Sequence, residues 1–366
     1  MREVLITNAA VSYDIIGGAS KAIDDIADQL SENFDRVNIF VPNRSGKNRP
    51  QIEKISPKVT IFRYRYWENL RILNPIFAFA AYFKFFRFKK FDLLWGNSPE
   101  PWLYIPKIAN KKIYSVHGPW KTEANLDKSR TNKLREFFID LAYSFILKAD
   151  ILFHFQSDYV FNACLNENSR FKKVHKIVCP VLLDEQKLLS KHIDAKRNLS
   201  KKLSILVARR LVNRTGVKEF INLTKAFDQM INITIIGDGY QAKEIQNQIL
   251  DKNNIRFLGR VEDEVLYREI IACDLVCMPS LDAEGFGASI LQSLFLFRPV
   301  LYTNIGGMKE FLKDNPDCFA FDLFKEAEFK NLLEKLLDLK EKNKLSVNLN
   351  NVKYSFCKNL NEILNA

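Results

Sequence analysis

The sequence has few cysteines, and their spacing fits neither a disulfide framework nor a zinc site. The six cysteines stand at positions 164, 179, 273, 277, 318 and 357, without a CxxC pair. This spacing excludes a zinc-ribbon protein and indicates a reduced, cytosolic compartment. Cys273 and Cys277 are expected to lie in a core, at the end of a helix and in a strand respectively.

The sequence also lacks a long hydrophobic run. No apolar run reaches the roughly 18 residues of a membrane-spanning helix. The first eight residues enter a strand directly, without the apolar core and cleavage site of a signal peptide. We therefore expect a cytoplasmic protein, at most peripheral on the inner face of the membrane. No repeat of the solenoid type is present.

Positive charge is what the sequence has in excess. The 55 Lys and Arg outnumber the 43 Asp and Glu, which gives a formal net charge of +12. This excess favours an anionic partner such as nucleic acid, an acidic membrane surface or a phosphorylated small molecule. Charge alone does not choose among these three.

The length and the hydrophobic pattern predict two domains of the α/β class. A chain of 366 residues is long for a single core. Short β-like runs alternate with helical segments from Val4 onwards, and the pattern starts again at Leu203 after a Lys-rich connection. Such alternation is typical of parallel sheets covered by helices on both faces. We predict domains at 1–180 and 181–345, with a C-terminal helix in 346–366 packing back towards the N-terminal domain.

The stretch from Pro279 to Leu294 is the first candidate for a binding site. It follows a short buried strand, and Gly285 and Gly287 flank Phe286 where a helix begins. The free backbone N–H groups and the positive dipole end of such a helix suit a phosphate. Glu284 would repel a phosphate, which favours a role in accepting hydrogen bonds from sugar hydroxyls or balancing positive charge. A carboxylate that caps the helix is the alternative.

Six segments together resemble a known family. They are Gly17-Gly18, Arg210 to Gly216, Gly237-Asp-Gly239, Phe257 to Arg260, Glu284 to Gly287 and Gly306 to Glu310. Their order and spacing resemble the retaining GT-B glycosyltransferases with a Glu-x7-Glu signature (glycosyl transferases group 1, family 4-like). The resemblance is close in the second half and loose in the first. It implies two Rossmann-like domains facing across a cleft, with the donor bound to the second and the acceptor to the first.

The resemblance also implies which residues bind the nucleotide-sugar donor. The set is Gly18, Arg210, Arg214, Thr215, Gly237, Gly239, Arg260, Glu284, Gly285, Phe286, Gly287, Ala288, Ser289 and Gln292. The family's phosphate loop reads Gly-Arg-Leu, three residues, Lys-Gly, and Thr215 replaces that Lys here. A hydroxyl cannot compensate a phosphate charge, so Arg214 is expected to take this role. Gln292 replaces the second Glu, which binds the ribose in the family.

In the first half, the resemblance implies an acceptor side around His117. The segment Ser115-Val-His-Gly-Pro-Trp120 places a histidine at a strand end. His117 is expected to line the cleft and, with Glu284, to be a catalytic residue that hydrogen-bonds the sugar or handles the acceptor proton. Gly17, Trp120 and Glu123 are assigned to the same side. A packed, structural histidine is the alternative.

The stretch from Ile76 to Phe91 interleaves seven phenylalanines with four cations. A basic, aromatic helix of this kind can rest on an anionic membrane surface. A core helix that ends in a solvated basic turn explains it equally well. Binding of single-stranded nucleic acid is disfavoured because no recognition module accompanies it.

The prediction is thus a retaining hexosyltransferase that uses a nucleotide diphosphate sugar and a glycan or lipid-linked acceptor. Synthesis of bacterial-type surface polysaccharide or glycoconjugate is the expected context. The resemblance implies neither a cofactor nor an obligatory metal. It does imply a front-face transfer, in which the leaving phosphate receives the acceptor proton. A catalytically silent protein of the same fold is the alternative, because Thr215 and Gln292 depart from the family.

Overall fold

The structure is a computed structural model of the chain. It describes residues 1–8, 18–44, 49–67, 74–87, 89–97, 107–116, 118, 141, 143–180, 183–190, 200–282, 284–352 and 356–366. These residues fall into two compact units. The first unit contains the described residues of 1–118, 141–183 and 356–366, and the second contains those of 184–352.

Fourteen strands and eleven helices lie within the described residues, and four short 3₁₀ turns connect some of them. The strands are β1 (Glu3–Thr7), β2 (Arg36–Asn43), β3 (Ile52–Lys54), β4 (Val59–Arg65), β5 (Phe91–Gly96), β6 (Ala109–Val116), β7 (Leu152–Phe155), β8 (His175–Val178), β9 (Leu203–Ala208), β10 (Ile231–Ile236), β11 (Ile255–Gly259), β12 (Leu275–Met278), β13 (Val300–Thr303) and β14 (Cys318–Phe321). The helices are α1 (Gly18–Asn33), α2 (Asn74–Phe86), α3 (Asp158–Glu167), α4 (Glu185–Leu189), α5 (Val217–Leu223), α6 (Ala242–Gln248), α7 (Asp263–Ala272), α8 (Ala288–Phe295), α9 (Gly306–Leu312), α10 (Glu326–Glu341) and α11 (Phe356–Asn365).

The first unit is built on an eight-stranded sheet in the order β3-β4-β2-β1-β5-β6-β7-β8. Its neighbouring strands are parallel except for the pair β3 and β4. Side chains of β1 alternate between two cores, because successive residues of a strand point to opposite faces. Val4 and Ile6 pack in a cluster with residues of α1 and α11, whereas Leu5 packs with residues of α2 and α3. Helices therefore cover both faces of this sheet.

The second unit is built on a six-stranded sheet in the order β11-β10-β9-β12-β13-β14, in which every neighbouring pair is parallel. Leu203, Ile205 and Val207 of β9 pack in one cluster with residues of α5 and α10. Buried residues of α7, α8 and α9 lie outside that cluster, although these helices contact strands of the same sheet. Two parallel, doubly wound α/β sheets are what the sequence pattern predicts, and the predicted fold class is confirmed.

Each sheet reverses its strand order beside its first strand. In the first unit β1 lies between β2 and β5, and in the second β9 lies between β10 and β12. Loops that leave the two central strands of such a sheet diverge to opposite faces and open a crevice at their carboxyl ends, where ligands bind in doubly wound folds. The functional residues should therefore be sought after β9 and β12 and after β1 and β5.

Helix α11 completes the core of the first unit. Leu360 and Ile363 are fully buried in the cluster that contains Val4 and Ile6, and Lys111 Nζ donates to the Leu364 carbonyl at 2.6 Å. Cys273 and Cys277 are buried at a helix end and in β12, as the sequence predicts.

We expect Leu360→Ala to lower the free energy of unfolding of the first unit by about 2–5 kcal/mol, because it leaves a cavity in this core. Asn361→Ala, on the exposed side of the same helix, should change it by less than about 0.5 kcal/mol. Denaturant unfolding followed by tryptophan fluorescence measures both. Equal effects of the two variants would mean that α11 is not part of the core.

Candidate functional site

The candidate site lies in the second unit, at the carboxyl ends of β9 and β12. These two strands are hydrogen-bonded neighbours at the reversal of strand order. The loop after β9 runs from Arg209 to Gly216, and the loop after β12 runs from Pro279 to Gly287. The loops contact each other directly, because the Leu281 N–H donates to the Arg214 carbonyl at 2.8 Å.

An ion pair joins the two loops. Arg209 Nη2 lies 2.5 Å from Glu284 Oε2, and the side chains are only 8% and 11% exposed. Ser280 Oγ donates to the same carboxylate oxygen at 3.2 Å, and Arg209 Nη1 donates to Met278 Sδ at 3.3 Å. A buried carboxylate thus has a cationic partner and a hydroxyl partner, as a buried charge requires.

The environment of Glu284 favours its ionised form. Burial raises the pKa of this carboxyl, but the Arg209 guanidinium lowers it by charge and by hydrogen bonding, with Arg214 and Ser280 adding to the effect. The net result is a pKa below the ordinary value for Glu. At neutral pH Glu284 is therefore a carboxylate, which accepts hydrogen bonds from hydroxyls and stabilises positive charge but has no proton to donate.

The three predicted phosphate-loop residues differ in exposure. Arg210 is exposed, Arg214 is half-buried and close enough to Glu284 to lower its pKa, and Thr215 is buried. Thr215 Oγ1 lies 2.8 Å from the Arg210 carbonyl and 2.7 Å from the Val212 carbonyl, so its one proton is shared within the loop. The Thr215 hydroxyl therefore holds the loop in shape, which leaves the cationic role to the arginines.

Gly237 and Gly239, in the loop after β10, allow two loops to approach closely. A Cβ on Gly237 would lie 1.7 Å from the Arg209 carbonyl oxygen, and one on Gly239 would lie 2.2 Å from that of Leu211. The structure thus gives both glycines a packing role against the loop after β9. Arg260 follows β11 at the same edge of the sheet and is exposed.

Helix α8 begins at Ala288, directly after Gly287, which has a φ of 91°. Gly285 and Phe286 are buried, and the Phe286 ring packs edge-on against Phe311, 5.0 Å between centroids. Phe286 thus directs its side chain into the core.

The first turn of α8 is linked to the Arg209–Glu284 ion pair through Met278. Ser289 Oγ donates to Met278 Sδ at 3.4 Å, the same sulfur that Arg209 contacts. Gln292 is buried on this helix, and within the described residues its amide makes no side-chain hydrogen bond. Ser289 and Gln292 are three residues apart and share a face.

The start of α9 fixes the main chain of Glu284. The Gly307 N–H donates to the Glu284 carbonyl at 2.9 Å. Gly306 adopts a φ of 54°, and a Cβ there would lie 2.4 Å from the same carbonyl oxygen. The segment Gly306 to Glu310, selected from the sequence as part of the family pattern, therefore supports the candidate site from a third loop.

Several residues predicted for the acceptor side lie outside the described residues. These are Gly17, His117, Trp120 and Glu123. Gly18 is the first residue of α1, and β6 ends at Val116 immediately before His117. Their assignments to the donor and acceptor sides stay predictions. Among the residues that the structure describes, no three His, Cys, Asp or Glu side chains are grouped as a metal site.

Arg209 is the residue of the candidate site that sequence reasoning missed. In the resembled loop pattern this position is a glycine, so the match draws attention to Arg210 and leaves its neighbour without a role. The available signal was a cation directly after β9 and a carboxylate in the loop after β12, in two strands of one predicted sheet. Only the structure shows that it is Arg209, not Arg210, that contacts Glu284.

Two family models match the chain. Residues 190–351 match the model described as Glycosyl transferases group 1, and residues 16–165 match the model described as Glycosyltransferase Family 4. The two matches do not overlap and together include most of both units.

Curated relatives of the chain are named as glycosyltransferases. Two uncharacterized glycosyltransferases of Methanocaldococcus jannaschii are similar: one is 30% identical over 35% of each chain, the other 24% identical over 92% of each. The N,N'-diacetylbacillosaminyl-diphospho-undecaprenol alpha-1,3-N-acetylgalactosaminyltransferase of Campylobacter jejuni is 24% identical over 81% of this chain and 76% of its own.

A solved structure shares the fold. Anabaena HepE in complex with UDP-glucose superposes with a TM-score of 0.72 and 16% identity, covering 100% of this chain and 99% of that one. At this identity the likeness establishes the fold, which is that of the GT-B glycosyltransferases.

We expect Thr215→Val to lower the free energy of unfolding of the second unit by about 1 kcal/mol, since it removes one buried hydrogen bond. Thr224→Val is the matched control, because the Thr224 hydroxyl is equally buried and donates to the Ile221 carbonyl at 3.1 Å. Amide hydrogen exchange should speed up between Arg210 and Gly216 in the Thr215 variant alone. The same exchange pattern in both variants would contradict a local role.

Proposed function

The chain belongs to the group 1 glycosyltransferases, and we propose that it transfers a hexosyl unit from a nucleotide diphosphate sugar with retention of configuration. The observation that carries this proposal is the meeting of Glu284 with Arg209 and Arg214 where the strand order of the second sheet reverses, with Arg210 exposed on the same loop. One buried carboxylate can accept bonds from sugar hydroxyls, while an exposed and a half-buried guanidinium lie on the loop beside it. A nucleotide sugar has this combination of neutral hydroxyls and a diphosphate.

In the proposed reaction the donor binds to the second unit. Arg210 and Arg214 would neutralise the diphosphate as its charge develops, and the backbone N–H groups at the start of α8 would add to this stabilisation. Glu284 would orient the sugar, and Gln292 would hold the ribose. Basic side chains and a helix dipole supply here the neutralising charge that a divalent ion supplies in other glycosyltransferases. The leaving phosphate would receive the acceptor proton.

For the acceptor we propose a glycan or lipid-linked sugar bound by the first unit, with His117 beside it. The name of the Campylobacter jejuni relative supports a lipid-linked acceptor, because it describes a diphospho-undecaprenol substrate. Synthesis of a surface polysaccharide or glycoconjugate is the proposed context.

The surface of α2 supports a location at the membrane. Asn74, Ala78, Tyr82 and Phe86 are buried, whereas Ile76, Phe79 and Phe83 are 62%, 47% and 47% exposed. The outer face is thus apolar, whereas the buried face packs in the core of the first unit, as the alternative of a core helix expects. Lys84, Arg87 and Lys90 are exposed at its C-terminal end. Aromatic residues with adjoining cations suit an anionic lipid surface. Within the described residues, no helix is long and apolar enough to span a membrane.

A catalytically silent protein of the same fold is the second candidate. The observation that favours it is the closed ion pair: Glu284 is already bound to Arg209, and Thr215 is committed to its own loop. Slow hydrolysis of a bound nucleotide sugar separates the two, because only a competent enzyme releases the sugar to water.

To test the proposed function, we would screen UDP-glucose, UDP-galactose, UDP-N-acetylglucosamine and GDP-mannose for an increase in melting temperature and for hydrolysis. At least one should stabilise the protein, by about 2.7 kcal/mol at a hundredfold excess over Kd. Glu284→Gln should lower hydrolysis about 10- to 100-fold, because a charge-assisted hydrogen bond is lost.

Glu269→Gln is the matched control, since Glu269 pairs with Arg256 elsewhere in the second unit and should leave hydrolysis unchanged. No response to any nucleotide sugar would refute the proposal. Binding without hydrolysis, in the unchanged protein, would favour the silent candidate.

We expect the triple variant Ile76→Ser, Phe79→Ser, Phe83→Ser to reduce binding to phosphatidylcholine vesicles containing phosphatidylglycerol about tenfold or more, because it removes apolar surface that enters the interface. Phe324→Ser is the control, because Phe324 is 77% exposed in the second unit. Vesicle sedimentation measures both. Binding that is equal in the triple variant and the unchanged protein would rule out α2 as the contact.

A further inference from the structure

The two oxygens of the Glu284 carboxylate have different surroundings. Oε2 contacts Arg209 Nη2 at 2.5 Å and Ser280 Oγ at 3.2 Å. Oε1 points towards the start of α8, 3.4 Å from the position that a Cβ on Gly287 would occupy. No hydrogen-bond donor of the described residues contacts Oε1. One oxygen is thus used by the protein, and the other is left as an acceptor.

Arg209 is fixed as firmly as the carboxylate it holds. Its side chain is buried, and its second amino group contacts Met278 Sδ, which also accepts from Ser289 at the start of α8. Its carbonyl is packed against Gly237 so closely that no Cβ fits there. With its guanidinium held at two points and its main chain at a third, Arg209 cannot swing away when a ligand arrives without breaking buried contacts.

We propose that Arg209 is a positioning residue for the donor sugar, which holds Glu284 by Oε2 so that Oε1 is presented to a neutral sugar hydroxyl beside the start of α8. This inference rests on the proposed function, and it adds a residue that determines how the sugar is bound. Arg209 acts on the sugar through Glu284, whereas Arg210 and Arg214 act on the diphosphate. The chemical class recognised is therefore a hexose with a free hydroxyl, and not an anionic group.

The protonation state of Glu284 is controlled mainly by its ion pair with Arg209. The loop after β9 carries Arg209 and Arg214, whose charges act on Glu284. Strand β12 carries Cys277, and burial raises the pKa of its thiol well above the ordinary value. Helix α8 carries no titratable side chain, and the adjoining α9 carries Lys309 and Glu310. Because burial raises the pKa of Glu284, loss of Arg209 should move its protonation towards neutral pH. In the unchanged protein the lowered pKa keeps the carboxylate charged throughout that range.

The test is titration calorimetry of Arg209→Ala with UDP-glucose and with UDP. If the screen above identifies GDP-mannose as the better donor, GDP-mannose and GDP replace them. We expect the affinity for the nucleotide sugar to fall about 10- to 100-fold, while the affinity for the nucleoside diphosphate stays within about twofold. In the variant, sugar affinity should also fall between about pH 8 and pH 6, whereas the unchanged protein should show a flat profile.

Three further variants keep the result interpretable. Arg209→Lys retains the charge and should recover part of the affinity and the flat pH profile. Arg209→Gln retains a hydrogen-bond donor without charge, and it replaces Arg209→Ala if that variant does not fold. Arg256→Ala breaks the Arg256–Glu269 ion pair of the same unit and should change the affinity for neither ligand.

Each outcome bears on one of the two proposals. Equal losses for the nucleotide sugar and the nucleoside diphosphate would place Arg209 on the diphosphate and overturn the inference. Unchanged binding of both, with a flat pH profile, would also overturn it and leave the proposed function intact. If the unchanged protein binds no nucleotide sugar, the proposed function fails and this inference fails with it.

Discussion

The burial of a charged carboxylate is the constraint on which the candidate site depends. An isolated carboxylate away from water is costly, so Glu284 can stay ionised only if a cation and hydrogen-bond donors are brought to it. Arg209 and Ser280 meet this need from the loops after β9 and β12, and Arg214 reinforces it at longer range. The strand reversal is what makes this possible, because it places the two loops side by side at one edge of the sheet.

Glycines of two neighbouring loops then fix the main chain on both sides of the ion pair. The Arg209 carbonyl lies against Gly237, and the Glu284 carbonyl lies against Gly306. Neither contact leaves room for a Cβ, so the distance between the paired charges is set by backbone packing as well as by attraction. The segments around Gly237 and Gly306 resemble ligand-binding motifs in the sequence. In the structure they support Arg209 and Glu284, which lie in other loops.

The sequence predicts the fold better than the contacts within the site. Alternating apolar runs and helical segments indicate both sheets, because buried parallel strands need such runs. Strands β3, β8 and β14 escape prediction because they are short and partly exposed, and only pairing with a neighbour defines them. Glu284 is found from the sequence because it stands in a recognisable strand, loop and helix. Arg209 is not, because which of two adjacent arginines turns inward depends on the path of the chain after β9.

The place of α11 has a consequence for how the chain is made. Val4 and Ile6 precede the described residues of the second unit in the sequence, and Leu360 and Ile363, which pack with them, follow those residues. All the described residues of the second unit precede α11 in the sequence. The second unit can therefore finish folding during synthesis, whereas the first keeps part of its apolar core uncovered until α11 has been synthesised. We therefore expect the second unit to complete its core before the first, which is the reverse of the usual N-terminal-first order.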